Sequence, residues 1–280
     1  MRKFGIGAAL LTLLAGTFGF ILRHLYMTRA IEPDTGLPAL NSPALIALVI
    51  YTVFIIVLAF VLAYIARRFF DVKEKYREVI APVNVFYICC MVAVYVLLLA
   101  SGVIKTVLAV SAETTDHVLL IRAIMMVLTG LSLFGLAYET TNKKDYRGSL
   151  VFSIVPEIAI TFWLLIYYRA NQTNPVLLDY MFVALALAAT AFGFYFTAGY
   201  VYGRRAPLRF IFSYSTAIYF LITALAGDLS LADKLAFIGL AVFFMINLSQ
   251  FVGNLLQKNR RTADLGSAPE NGDNVPQTSK

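Results

Sequence analysis

Charge is scarce in this chain. Only 14% of its 280 residues are Asp, Glu, Lys or Arg, against about 25% in an ordinary soluble domain. Cysteine is scarcer still. Cys89 and Cys90 are the two, adjacent within an apolar run. Neighbouring cysteines make a strained disulfide, and no second pair supplies a zinc pattern. Both therefore read as small buried hydrophobes. No HExxH, P-loop or GxSxG motif is present, which removes zincin, phosphate-cradling and serine-hydrolase chemistry. No apolar block holds a pair of carboxylates or histidines, as an acid–base or metal site would need. The connections between blocks are too short to hide a soluble catalytic domain. The expectation is a protein without catalytic residues, metal or cofactor, and not an enzyme.

What the chain has in excess is apolar side chain: 60% of residues, with a mean hydropathy of +0.78. These residues fall into blocks of the length that crosses a hydrocarbon core of about 30 Å. In lipid every backbone polar group must be satisfied internally, so such blocks are helices. The fold class read from this pattern is all-α: a polytopic integral membrane bundle of eight transmembrane helices. The spans are expected at about 4–22, 43–66, 82–104, 117–138, 150–168, 175–203, 207–226 and 231–257. Together 1–257 form one membrane domain. Residues 258–280 are polar and rich in Gly, Pro, Asn and Ser, so they read as a disordered cytoplasmic tail.

Local chemistry marks the helix starts. Ser42-Pro43 places an N-cap serine before a proline whose missing N–H costs nothing in the first turn. Pro82, Asn174-Pro175 and Pro207 repeat the device, and Asp116 is a candidate N-cap. Ser230-x-x-Asp233 resembles a capping box. Arg23–Asn41 reads as a polar loop, as does Glu139–Gly148. In the first helix Thr12, Ala15, Gly16 and Gly19 form one small face suited to close packing.

The net charge of +7 lies between the apolar blocks, so it reads as topology and excludes nucleic acid as a partner. With the N-terminus inside, seventeen of the 23 Lys and Arg residues fall on inner segments, as the positive-inside rule requires. Both termini are then cytoplasmic. Trp163, Tyr167, Tyr168 and Tyr180 would mark the outer interface and Tyr64, Tyr138, Tyr146, Tyr200 and Tyr202 the inner one. A parallel repeat of four plus four helices is also suggested. Proline opens the second and third helix of each half, and AYIARR at 63–68 resembles GYVYGRR at 199–205.

The candidate site centres on Pro156-Glu157, the one interior Pro-acid pair in the spans. Glu157 lies roughly 10 Å inside the inner boundary. A charge at that depth costs about 2.5–3.5 kcal/mol, so Glu157 is expected to be protonated, paired or hydrated. Pro156 withdraws a donor from the Phe152 carbonyl and bends the helix. A bend beside an acid builds an ion or solute site; the alternative is a neutral Glu157 locking two helices. Asn247 and Gln250 share a helix face with Asn254, and Thr190 and Ser213 fall in the same inner half. They read as a polar lining, or more plainly as interhelical hydrogen bonds worth about 0.6 kcal/mol each. Arg122, near the outer boundary, is expected to snorkel outward toward Asp116 and Glu113. His24 and His117 read as interfacial.

The runs NPVLLDY at 174–180, GYVYGR at 199–204 and DKLAFIGLA at 233–241 resemble uncharacterised multi-pass membrane proteins of anaerobic Gram-positive bacteria. The resemblance covers under half the chain. It implies a bacterial plasma-membrane location and brings no activity or site residue. Two functions remain open. One is a transporter or permease-type subunit for a small solute or ion, with Glu157 as its working acid. The other is a membrane scaffold or sensor that meets a membrane or cytoplasmic protein partner through its basic loops.

Overall fold

A computed structural model describes residues 2–30, 42–69, 80, 85–111, 117–142, 148–172, 177–204 and 206–266. The described residues form eight helices and no strand: α1 Arg2–Arg29, α2 Pro43–Phe69, α3 Val85–Ser111, α4 His117–Asn142, α5 Gly148–Asn171, α6 Leu177–Val201, α7 Pro207–Ala224 and α8 Leu231–Gly266. Seven of them are long and apolar enough to cross a membrane. Large apolar side chains such as Leu14, Phe18, Ile50, Phe54, Val107 and Leu165 stand half-exposed along them. Water would not tolerate so much continuous apolar surface. The protein is a multi-pass helical membrane protein, and these faces meet lipid.

The exception is α7. Fourteen of its eighteen residues are buried, because α1, α2, α6 and α8 all pack on it. A helix enclosed by protein can carry Ser, Thr and Tyr that a lipid-facing helix cannot, provided their polar groups are bonded. Tyr214 meets Thr197 of α6 at 2.7 Å, and Tyr219 meets Thr52 of α2 at 2.8 Å. Ser213 and Thr216 bond carbonyls of α7 itself. The packing closes a ring that includes α7: α3 on α4, α4 on α5, α5 on α6, α6 on α7, α7 on α8, and α8 back on α3. α1 and α2 lie outside the ring against α7, and α1 also touches α8.

Local signals explain several helix ends. α2 begins at Pro43, with Ile46 N–H bonded to the Ser42 carbonyl at 3.2 Å. α7 begins at Pro207. α6 stops in a Schellman motif. Gly203 adopts φ +81°, which non-glycine residues rarely take, while Arg204 N–H reaches the Gly199 carbonyl at 2.7 Å and Gly203 N–H that of Tyr200 at 3.0 Å. Pro82, Asp116 and Asn174-Pro175 lie outside the described residues.

The small face of α1 has the role its composition suggests. A Cβ on Gly19 would stand 2.5 Å from Thr223 Oγ1 and 2.9 Å from Tyr219 Cε2, and one on Gly16 would stand 2.9 Å from Ile222. Gly7 meets nothing within 4 Å. Gly19→Leu is therefore expected to push α1 off α7 and cost about 1–3 kcal/mol. Gly7→Leu, facing lipid, should leave the thermal midpoint in detergent unchanged. Equal midpoints for the two variants would contradict this packing.

Several expectations need correction. Arg23 to Arg29 is not loop; it is the last two turns of α1. α3 runs on from the span end expected at about 104, through Lys105, to Ser111. Glu139 belongs to α4 and is buried, not solvated. Gly148 lets α5 start beside it: a Cβ there would lie 2.6 Å from Glu139 Oε1. α8 continues to Gly266, past the predicted end at 257, and 267–280 lie outside the described residues. Cys89 is exposed on the lipid side and Cys90 only partly buried. Trp163 and Tyr200, read as interface markers, are each 2% exposed.

Candidate functional site

The end of the bundle that carries the C-termini of α1, α3 and α7 and the N-termini of α4, α6 and α8 is the ionic end. Lys105 of α3 is 1% exposed. Its Nζ lies 2.7 Å from Asp233 Oδ1 of α8. Arg122 of α4 donates to the same oxygen at 3.0 Å. Asp233 Oδ2 is taken by the Ser230 hydroxyl at 2.8 Å, and Asp233 N–H bonds Ser230 Oγ at 3.1 Å. The capping box thus fixes the carboxylate as well as the helix start. Its negative charge also sits at the positive end of the α8 dipole.

Beneath the two cations lies the one tryptophan. Lys105 Nζ stands 4.3 Å from the centroid of Trp163 on α5, and Arg122 Cζ 5.2 Å from it. On its other side Trp163 meets Phe237 of α8 at 5.3 Å between centroids. The aromatic face offers the cations a partner that lipid cannot. Four ring helices therefore deliver one charged layer to the interior of the bundle.

A third cation seals the same end. Arg23 is 1% exposed. Its Nη1 donates to the carbonyls of Ala224 at 3.1 Å and Thr223 at 3.4 Å, and its guanidinium stands 5.2 Å over Phe182 of α6. Those carbonyls belong to the last turn of α7, where the only backbone donors are the N–H groups of the tightened turn at Ala226 and Gly227. Gly227 makes room: a Cβ there would stand 2.6 Å from Arg23 Nη2.

The residues singled out from the sequence lie in the other half and converge less. α5 stays helical through Pro156, which is buried. Glu157 sits on the flank of the buried stripe Ser153, Pro156 and Ile160 and is partly exposed. Among the described residues no hydrogen bond or ion pair reaches it. Asn247 is 1% exposed, donates to the Phe243 carbonyl at 2.8 Å and accepts from the Tyr87 hydroxyl of α3 at 3.4 Å. Thr190 bonds the Ala186 carbonyl and Ser213 the Phe210 carbonyl, each within its own helix. Gln250 is partly buried. The interhelical bond that the plainer account predicts exists at Asn247.

Arg122 has a partner inside the bundle that the sequence reading did not name. It turns to Asp233, and Asp116 and Glu113 lie outside the described residues. The sequence carries the depth of the ionic layer but not its pairing. Lys105, Arg122 and Asp233 all fall within two turns of one boundary in three spans otherwise poor in charge there. No family model, curated protein or solved structure matches this chain.

Proposed function

We propose that the chain is a non-enzymatic transporter or permease-type subunit for a small solute or ion. The observation that carries this reading is the Lys105–Arg122–Asp233 layer inside the helix ring. Ionisable groups within a membrane bundle are costly, and they concentrate where ions or solutes pass. In this reading the layer is the closed gate at one end. Glu157, beside Pro156, is the protonatable or ion-pairing group deeper in the bundle, with Asn247, Gln250, Thr190 and Ser213 as neutral surroundings.

The same reading has all eight helices crossing, with both termini cytoplasmic and the ionic layer outward. α7 spans roughly 27 Å at 1.5 Å per residue, close to the hydrocarbon thickness. The meeting of α1, α3 and α7 C-termini with α4, α6 and α8 N-termini supports strictly alternating crossings. The basic inner segments supply the orientation. The resemblance to multi-pass proteins of anaerobic Gram-positive bacteria makes the bacterial plasma membrane the proposed location. A four-plus-four repeat is proposed at the level of helix order alone. Its packing is not symmetric, since α6 lies along α7 whereas α2 packs on α1 and α7.

The test is flux into proteoliposomes loaded with a pH-reporting dye and challenged with a panel of amino acids, organic anions and metal cations. At least one solute class should move the dye beyond empty liposomes. Glu157→Gln should abolish that response while leaving the thermal midpoint within about 0.5 kcal/mol of equivalent stability. No response to any solute, or a response that Glu157→Gln leaves intact, favours the scaffold reading and its basic loops instead.

A further inference from the structure

Apart from the ionic layer, a groove of about 530 Å³ lies on the flank of α7, between α2 and α6. Ile56 and Phe60 form one wall, Leu185 to Phe196 of α6 the other, and α7 from Arg209 to Phe220 the floor. All of the lining is apolar except Arg209, Ser213 and Thr216. The two hydroxyls are already spent on α7 carbonyls, so the groove offers a single polar function, the guanidinium at its end.

Two features identify what fits. The first is length. Arg209 to Phe220 on α7, and Leu185 to Phe196 on α6, each rise roughly 16 Å. Half of a hydrocarbon core is about 15 Å, so the groove runs the depth of one leaflet and ends near the midplane. The second is charge. Arg209 is exposed at the end of the groove and has no acidic partner among the described residues. An apolar slot one leaflet deep, open to lipid and headed by an exposed guanidinium, complements an acyl chain joined to a phosphate.

We propose that this groove is a binding site for one anionic phospholipid, its chain lying along α7 between Phe60 and Phe196 and its headgroup on Arg209. On the orientation argued above this lipid comes from the cytoplasmic leaflet. Guanidinium donors recognise phosphate oxygens well, and basic residues beside a leaflet surface each contribute about fivefold to binding of anionic lipid. A zwitterionic headgroup would offer the same chain with no net charge for Arg209.

The experiment is native mass spectrometry of the purified full chain in detergent, titrated separately with dioleoyl phosphatidylglycerol and dioleoyl phosphatidylcholine. The intact protein should retain phosphatidylglycerol at least about fivefold better. Arg209→Gln should bring it down to the phosphatidylcholine level. Ala188→Phe, which narrows the groove, should weaken both lipids. An unshifted emission of Trp163 checks that each variant is folded. Excess glycerol 3-phosphate should not displace the bound lipid, because it carries the headgroup chemistry without a chain. Equal retention of the two lipids would overturn the site. So would an Arg209→Gln protein that binds like the original, or displacement by glycerol 3-phosphate. Lipid retention does not read sidedness or flux, so this site and the transport reading fail separately.

Discussion

Asp233→Asn is expected to be the most damaging single substitution at the ionic end, costing about 3–5 kcal/mol. The amide keeps the size of the side chain and a cap for α8, so the loss isolates the charge. Without it Lys105 and Arg122 face each other over Trp163 with no carboxylate between them. Lys105 is 2% exposed at its side chain and cannot turn to water. Lys105→Met should cost less, about 1–3 kcal/mol, because Asp233 keeps Arg122 and Ser230. The double variant should be more stable than Asp233→Asn alone, since the stranded cation is gone. Thermal unfolding in detergent orders the three, and emission from Trp163 reports the layer directly because the chain has no other tryptophan. If Lys105→Met proves as costly as Asp233→Asn, the carboxylate is not the hub of the layer.

Arg23→Met is the second large effect, expected at about 1.5–3 kcal/mol for the loss of charge-assisted bonds to buried carbonyls. Leu225, Ala226 and Gly227 continue α7 as a tightened turn, bonded to Ile222, Thr223 and Ala224 at 3.1–3.3 Å. Arg23 bonds two of those same carbonyls from another helix. Methionine fills the space but donates nothing. Hydrogen exchange should therefore accelerate at the amides of 225–227 while α7 from 212 to 220 stays protected. Gly227→Ala should act in the same direction by pressing on the guanidinium. Unchanged exchange at 225–227 in Arg23→Met would mean that Arg23 packs there without holding the turn.

Both effects turn on residues whose roles periodicity does not reveal. Seven membrane-length helices were legible because crossing a bilayer demands a minimum apolar length. Ser42-Pro43, Pro207 and Ser230/Asp233 were legible because capping is local: donor and acceptor lie within four residues. The small face of α1 was legible for a related reason, since only glycine permits such close approach. The ionic layer is a different kind of object. Lys105 and Asp233 are 128 positions apart, and a sequence states how deep a residue lies along its helix but not which way it faces. Arg23 and Arg122 each sat next to polar segments, where the cheapest local answer is solvent. The structure found them stronger partners across the bundle. Trp163 misled by type, because tryptophan is common at interfaces, yet here two cations and Phe237 enclose it. α7 is the converse case. Its Ser, Thr and Tyr content lowers its hydropathy because protein, not lipid, surrounds it.

The central claim is that the ionic layer closes one end of a water-accessible bundle. The measurement that meets it most directly is thiol accessibility at position 157. Cys89 and Cys90 are replaced by alanine, a single cysteine is placed at 157, and a membrane-impermeant thiol reagent is applied from either side of oriented vesicles. Labelling is predicted from the side of Arg209 and not from the side of Lys105. Adding Asp233→Asn should open the second route, so that 157 labels from both sides. If 157 labels from neither side in both backgrounds, while a cysteine in a connecting loop labels normally, the bundle is closed and dry. Glu157 is then a structural acid, and the transport reading is contradicted.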